Sequence, residues 1–233
     1  MSQQPFTVRF QRGLIVSCQA LEDEPLHGSA HMAAMARAAE MGGAIGIRAN
    51  SPEDIAAIKQ AVSIRIIGLN KVSYPNSEAE ITPTLEAAEA IAQAGADAIA
   101  LDATSRRRPA QKSADVLIRE VKSTLQLPVV ADIATFEEAM AAADAGADAI
   151  ATTLAGYTPY SNMTARPDLE LLERLVGAVK IPVLAEGGYT SPEEAVRALE
   201  LGAYAVVVGT AITRPQLITA RFVGGIRSSL EGA

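Results

Sequence analysis

The sequence contains no tryptophan, one cysteine and two histidines, and aromatic residues make up only 4% of its 233 positions. A single cysteine excludes an intrachain disulfide, and the apolar neighbours of Cys18 indicate a packing residue rather than a nucleophile. Aromatic side chains are too few to fill a core of this size. Alanine and branched aliphatic residues must fill it instead, since hydrophobic residues amount to 49% of the chain.

Excess positive charge and long apolar runs are also missing. The formal net charge is −7, which argues against a surface that binds nucleic acid. No run approaches the roughly 18 apolar residues that a membrane span requires, and the first residues lack the apolar stretch of a signal peptide. We therefore expect a cytoplasmic protein that binds neither nucleic acid nor a membrane.

The sequence does contain a repeat. AGADAI occurs at 94–99 and again at 145–150, and looser copies read LGAYAV at 201–206 and MGGAI at 41–45. The copies recur at intervals of roughly 50–55 residues, a period that is typical of repeated structural units. Each copy leads from an alanine-rich segment into a short apolar run. The glycine in each copy therefore marks the end of a helix, where a left-handed backbone favours glycine.

Short apolar runs, which suit strands buried on both faces, alternate with helical segments along the chain. The helical segments include capping boxes at Thr135–Glu138 and Ser191–Glu194. We predict an α/β fold, namely a (β/α)₈ TIM barrel that forms one domain over residues 1–233. An open doubly wound sheet is the alternative, but its G-x-G-x-x-G turn is absent. The predicted strands are Leu14–Gln19, Ala44–Arg48, Ile66–Lys71, Ala98–Asp102, Pro128–Asp132, Ala149–Thr153, Pro182–Glu186 and Ala205–Gly209.

The active site of such a barrel lies at the C-terminal ends of the strands. Charges that close apolar strands are costly unless they are paired or functional. Lys71, in apolar surroundings and near a cation such as Arg48, would lose its proton readily and could act as a base or form an imine. Glu186 and Asp132 can polarise a hydroxyl group or carry a proton. The predicted strand ends are Gln19, Arg48, Lys71, Asp102, Asp132, Thr153, Glu186 and Gly209.

Glycines follow the last two predicted strands. Gly187 and Gly188 come after the seventh, and Gly209 opens a segment after the eighth that ends at Arg214. Barrel enzymes frequently hold a phosphate with backbone N–H groups of these two loops, where glycine allows close approach and an arginine adds charge. We therefore predict a phosphate site at these four residues.

Histidines are absent from the predicted strand ends. His27 and His31 lie at or before the helix that follows the first strand, without the surrounding residues of a known zinc motif. Epimerases of sugar phosphates that use a bound metal need histidines at strand ends. We therefore expect neither a metal nor a cofactor.

Several longer motifs are distinctive, above all TTLAGYTPYS and VVVGTAITRPQ. Together they make the chain resemble the N-acylglucosamine-6-phosphate 2-epimerase family, also called the N-acetylmannosamine-6-phosphate 2-epimerase family. The resemblance runs over nearly the whole chain. Its motifs are LIVSCQA at 14–20, GIRAN at 46–50, LDATSRRRP at 101–109, ADIATFEEA at 131–139, TTLAGYTPYS at 152–161, AEGGYTSPEEA at 185–195 and VVVGTAITRPQ at 206–216.

The resemblance implies an isomerase that interconverts N-acetylmannosamine 6-phosphate and N-acetylglucosamine 6-phosphate in sialic acid breakdown. It implies metal-free removal and return of the C2 proton, with Lys71 and Glu186 as catalytic residues and Gln19, Arg48 and Asp132 in contact with the substrate. The residues themselves leave two alternatives open. One is a Schiff-base aldolase that acts on a sugar phosphate, and the other is a non-catalytic barrel that binds one. A homodimer also stays open.

Overall fold

Parallel strands close into a ring in chain order, so that the last strand pairs with the first. The computed structural model describes residues 5–161 and 166–231. Within these residues it contains a closed barrel of eight strands. The predicted TIM barrel is thereby confirmed. The strands are β1 (Gly13–Cys18), β2 (Gly46–Asn50), β3 (Arg65–Leu69), β4 (Ala98–Asp102), β5 (Val129–Asp132), β6 (Ala149–Ala151), β7 (Val183–Glu186) and β8 (Ala205–Val208).

Helices alternate with the strands, as the sequence predicts. No helix in the described ranges is both long and apolar enough to cross a membrane. A short 3₁₀ turn at Pro109–Gln111 follows β4. The α-helices are α1 (Phe6–Arg9), α2 (Ser29–Met41), α3 (Pro52–Ala61), α4 (Leu85–Gln93), α5 (Ala114–Leu125), α6 (Phe136–Asp144), α7 (Leu169–Ala178), α8 (Pro192–Glu200), α9 (Thr210–Thr213) and α10 (Pro215–Glu231).

Two helices begin at the predicted capping boxes. Thr135 caps α6 by accepting a hydrogen bond from the backbone N–H of Glu138, whose carboxylate accepts one from Thr135 in return. Ser191 and Glu194 form the same reciprocal pair at α8. Each pair satisfies helix donors that would otherwise lack partners, and therefore fixes where the helix starts after its strand.

The repeated glycines lie between a helix and an even-numbered strand. Gly95, Gly146 and Gly202 have φ angles of +103°, +97° and +103°, the left-handed backbone predicted for them. The first copy was predicted wrongly. Gly42 is right-handed at φ −76°, and its neighbour Gly43 takes the positive angle of +90°. Because two glycines are adjacent here, the left-handed residue is the second of them, Gly43.

The aspartate in two of the repeats also has a structural role. Asp97 accepts hydrogen bonds from the backbone N–H of Ile66 at 3.0 Å and from Nζ of Lys59 at 2.9 Å. Asp148 accepts from the backbone N–H of Val129 at 2.9 Å and from a lysine of α5. Each carboxylate thus ties the start of an even-numbered strand to the start of the strand before it and to the helix that precedes that earlier strand. In the AGAD connection between helix and strand, the glycine therefore provides the left-handed turn and the aspartate fixes the start of the strand.

The interior of the barrel is filled mainly by small and branched side chains. The sequence did not predict α1, which places Phe6 and Phe10 against this inner cluster with their rings stacked at 4.6 Å. The hydroxyl of Tyr204 donates to the carbonyl oxygen of Phe10 at 2.8 Å, which ties the N-terminal segment to the chain just before β8. Two of the few aromatic residues therefore plug the N-terminal end of the barrel, opposite the predicted site.

The last helix, α10, differs from the others because it buries none of its residues. Its neighbours in the fold are mainly residues of α9. Five large apolar side chains of α10 are exposed, which is unusual for a helix of this length. They are Leu217, Phe222, Val223, Ile226 and Leu230.

Candidate active site

A cavity of about 550 Å³ opens at the C-terminal mouth of the barrel, a volume that suits a small-molecule ligand. Seven of the nine predicted site residues line it. Arg48 and Asp132 are buried beside it, in contact with the cavity-lining Glu186 or with each other. The structure therefore brings all nine predicted residues to one place. The seven that line the cavity are Gln19, Lys71, Glu186, Gly187, Gly188, Gly209 and Arg214.

Arg48 is the centre of the charged cluster. Its side chain is buried, and Nη2 donates to Oδ2 of Asp132 at 2.6 Å. Its Nε lies 3.1 Å from Oε1 of Glu186, which makes an ion pair without hydrogen-bond geometry. The other oxygen of Asp132 accepts from the hydroxyl of Thr153 at 2.6 Å. Asp132 is therefore fully bonded, whereas Glu186 is held loosely.

Several buried polar atoms in this cluster have no hydrogen-bond partner among the described residues. They include Nη1 of Arg48, Oε2 of Glu186 and Oε1 of Gln19, whose amide nitrogen donates to Ser17 at 2.9 Å. Buried polar groups in folded proteins are nearly always bonded. Free donors and acceptors gathered beside a cavity therefore indicate a polar ligand.

Lys71 lies two residues beyond β3, which ends at Leu69 rather than at the lysine as predicted. Its backbone N–H donates to Oδ1 of Asn50 at 2.8 Å, and an isolated antiparallel bridge pairs it with Ile81. The side chain remains accessible in the cavity. The surrounding protein lowers the pKa of Lys71 by desolvation, and the positive charges of Arg48 and Arg214 lower it further. A neutral amine is therefore more accessible here than on an ordinary lysine.

The two carboxylates have raised pKa values. Burial raises the pKa of Glu186 to about 7, against the attraction of Arg48, and the negative charge of Asp132 adds to the rise. Burial also raises the pKa of Asp132, while Arg48 and the hydroxyl of Thr153 oppose it. Glu186 can therefore exchange a proton near neutral pH, which is the property that a general acid or base requires.

The first predicted phosphate loop requires glycine for its backbone conformation and for its close packing. Gly187 and Gly188 have φ angles of +106° and +82°, and a Cβ atom on Gly188 would lie 2.6 Å from Cβ of Arg166. The backbone N–H groups of Gly188, Gly209 and Thr210 donate to no described residue. These donors line the same side of the cavity as Arg214. Phosphate binding at these residues stays a prediction.

A sequence-family model described as "NanE: Putative N-acetylmannosamine-6-phosphate epimerase" matches residues 32–228. The chain belongs to this epimerase family. It is 53% identical over 220 residues to a protein of Caldanaerobacter subterraneus subsp. tengcongensis described as "Putative N-acetylmannosamine-6-phosphate 2-epimerase", covering 94% of this chain and 93% of the relative.

One solved structure agrees with the family assignment, and a more distant one shares the fold. That of the N-acetylmannosamine-6-phosphate 2-epimerase from Clostridium perfringens superposes with a TM-score of 0.91 at 46% identity, covering 96% of this chain and 97% of that one. The thiamine phosphate pyrophosphorylase of Pyrococcus furiosus, at 20% identity and a TM-score of 0.58, covers 88% of this chain and 90% of its own and shares the fold alone.

The described part of this epimerase-family chain contains no group of three or more His, Cys, Asp or Glu side chains placed to hold a metal ion. Asp102, which the sequence placed among the strand ends, does not join the central cluster. It is buried and bonded instead to Thr104, Arg106 and Arg108 of its own loop. Neighbouring arginines therefore account for its charge.

Sequence reasoning missed residues that hold the site in place. Glu24 pairs with Nε of Arg214 at 3.1 Å and accepts from Gln216 at 3.0 Å, so it fixes the direction of the arginine. The hydroxyl of Thr152 bonds both the backbone N–H and the carbonyl of Glu186. No quoted motif contains Glu24, and the motif at 152–161 begins with Thr152 without indicating its role. Ser17 could have been found, because it lies two residues before Gln19 and so faces the same way.

Proposed function

We propose that the chain epimerises C2 of N-acetylmannosamine 6-phosphate to give N-acetylglucosamine 6-phosphate, without a metal, in amino sugar breakdown. The observation that carries this proposal is the placement of Lys71 and Glu186. They face one cavity from β3 and β7, which lie on opposite sides of the eight-stranded ring. The pKa of Lys71 is lowered and that of Glu186 is raised to about 7, so both shifts favour proton transfer at this cavity.

The chemistry follows from the open-chain sugar, whose C1 aldehyde makes the C2 hydrogen acidic. One of the two groups takes this proton, and the C2–H electron pair moves to give an enolate with its negative charge on the C1 oxygen. The unbonded Nη1 of Arg48 is a donor suited to that oxygen. The opposite group then returns a proton to the other face of C2, which inverts the centre. The reverse reaction uses the same groups with their roles exchanged.

The 6-phosphate in this proposal binds at Gly187, Gly188, Gly209 and Arg214. The support for it is the set of free backbone donors at these loops together with the charge of Arg214. Gln19, Arg48 and Asp132 complete the substrate contacts, either directly or by holding Glu186.

We also propose that the protein is a homodimer in which α10 packs on a second copy of the chain. Every copy presents the same apolar helix, so a two-fold contact would cover both helices at once. The five exposed apolar side chains of α10 supply the surface for this contact.

Proton exchange with solvent tests the proposed reaction. In D₂O the wild-type enzyme should place deuterium at C2 of the product, observed by proton NMR. Lys71→Ala should lose epimerisation by about 100-fold or more, because either the base or the acid at C2 is then missing. Lys71→Arg should also fail, because a guanidinium stays protonated. An active Lys71→Ala variant would refute the assignment.

The aldolase alternative has its own test, because the lowered pKa of Lys71 would also suit an imine. Borohydride added together with substrate should leave the protein mass unchanged if the lysine only moves a proton. A reduced adduct on Lys71 would instead support the aldolase. The non-catalytic alternative predicts that the sugar phosphate binds without turnover or exchange.

A further inference from the structure

Three consecutive arginines follow β4, and the structure gives each a different environment. Arg107 is 68% exposed and pairs only with the exposed Glu78. Arg108 is buried and donates to the carboxylate and the carbonyl oxygen of Asp102. Arg106 alone turns into the cavity at the mouth of the barrel. Among the three, it is therefore the one placed to meet a ligand.

Arg106 is held rigidly along one edge of its guanidinium. Nη2 donates to Oδ2 of Asp102 at 2.5 Å, and Nε donates to the hydroxyl of Thr104 at 3.2 Å. Asp102 is itself buried and fixed by Arg108 and by the backbone N–H of Thr104. Nη1 donates to none of the residues that the structure describes. The two N–H donors of Nη1 are thus available to a ligand, on a guanidinium whose position is already fixed.

The ring of strands determines which part of the substrate reaches Arg106. The loops after β7 and β8, where the proposed phosphate site lies, are across the barrel from the loops after β3 and β4. A sugar anchored there by its 6-phosphate and held at C2 between Lys71 and Glu186 directs its remaining end away from the phosphate. That end carries C1 and the N-acyl group on C2.

The wall around Arg106 suits an acyl group. Ile81 and Leu154 line the same cavity and belong to the apolar cluster inside the barrel. A methyl group can pack against them, while a donor is needed for the amide oxygen. The charge of Arg106 is already paired with Asp102, so an uncharged acceptor such as an amide carbonyl is sufficient to complete its bonding.

We propose that Arg106, Ile81 and Leu154 form the subsite for the N-acyl group, with Nη1 of Arg106 donating to the amide carbonyl oxygen. The assignment rests on the phosphate placement proposed above. It makes Arg106 a residue that determines specificity for N-acylated sugars. Asp102 and Thr104 act through it as positioning residues.

Two ligands that differ only in the acetamido group test this subsite. 2-Acetamido-2-deoxyglucitol 6-phosphate carries the group and 2-deoxyglucitol 6-phosphate lacks it. Neither has the C1 aldehyde that acidifies C2, so both bind without reacting. Calorimetric titration of the wild-type protein should give tighter binding of the acetamido ligand. Arg106→Met should weaken that ligand by about ten-fold or more, as for other hydrogen bonds from charged groups, and leave the other ligand unchanged.

Matched variants distinguish a lost hydrogen bond from a general loss of positive charge or of folding. Arg107→Met removes a neighbouring exposed arginine and should change the binding affinity of neither ligand. Arg106→Lys keeps a positive charge beside Asp102, which should preserve the fold, but it lacks the several fixed N–H donors of a guanidinium. It should therefore also weaken binding of the acetamido ligand selectively. Equal weakening of both ligands by Arg106→Met, or no weakening of either, would overturn the proposal.

A separate variant tests the phosphate placement on which the subsite rests. Arg214→Met should weaken binding of both ligands by the same factor, because both carry the 6-phosphate. If Arg214→Met changes neither ligand while Arg106→Met weakens both, the substrate lies in the opposite direction across the barrel. That result would refute the phosphate site and the acyl subsite together. A selective loss in Arg106→Met alone, with no effect of Arg214→Met, would refute only the phosphate site.

Discussion

Replacing Glu186 with glutamine should abolish turnover and at the same time make the protein more stable. The side chain is only 11% exposed, and burial raises its pKa to about 7 from an ordinary value of 4.5. This rise already includes the attraction of Arg48. It corresponds to about 3 kcal/mol by which the folded protein disfavours the ionised carboxylate. Glutamine has nearly the same shape and carries no charge, so it avoids this penalty.

The effect should depend on pH in a defined direction. Because the pKa of Glu186 is higher in the folded chain than in the unfolded chain, its contribution to stability is fully present below about pH 4.5. It is lost as the pH rises through about 7. The free energy of unfolding of Glu186→Gln should therefore exceed that of the wild type by about 3 kcal/mol at pH 8. At pH 5 the same difference should shrink to about 1 kcal/mol.

Urea unfolding followed by circular dichroism measures this difference at each pH. Subtracting the wild-type value removes the contribution of titrating groups that do not interact with Glu186, and any pH-independent effect of the amide cancels between the two pH values. Glu80→Gln is the matched control, because Glu80 also lines the cavity but is exposed. A difference that does not shrink between pH 8 and pH 5 would refute the argument. So would near-normal turnover of Glu186→Gln.

Two further predictions concern the metal and the assembly. Dialysis against a strong chelator should leave the epimerisation rate unchanged, since the proposed proton transfers use only side chains; a loss that a divalent ion restores would contradict this. Light scattering should give twice the mass of the chain, and a Phe222→Glu, Ile226→Glu double variant should give the mass of one chain, because charges on α10 oppose burial of its apolar face. A wild-type protein with the mass of one chain would contradict the dimer.

The fold could be predicted because its signals are local and repeated. Each AGAD copy fixes a helix end and a strand start, and each capping box fixes a helix beginning, so neighbouring elements are specified by a few consecutive residues. The errors arose where local signals are ambiguous or absent. Two adjacent glycines made the position of the left-handed residue in the first copy ambiguous. Helix α1 is too short to show a periodic pattern.

The nine site residues all lie at the predicted C-terminal end of a strand or in the loop that follows it. The sequence alone reveals this position, and the topology of a parallel barrel brings the ends of all strands together. Arg106 and Glu24 lie in loops, where no periodicity determines the direction of a side chain. Their positions depend on hydrogen bonds to residues distant in the chain or on a buried partner such as Asp102. Such contacts become visible only when the folded coordinates are known.

The geometry around Arg48 distinguishes the two carboxylates to which the proposed mechanism gives different roles. Asp132 holds the arginine by a 2.6 Å hydrogen bond and receives a second bond from Thr153, so both of its oxygens are satisfied. Glu186 has only Nε of the guanidinium, at 3.1 Å and without hydrogen-bond geometry, and one of its oxygens is unbonded. A single cation cannot stabilise two buried carboxylates equally. Asp132 therefore has the stronger contact with Arg48, and Glu186, with a pKa of about 7, suits the acid and base that the proposed mechanism places at C2.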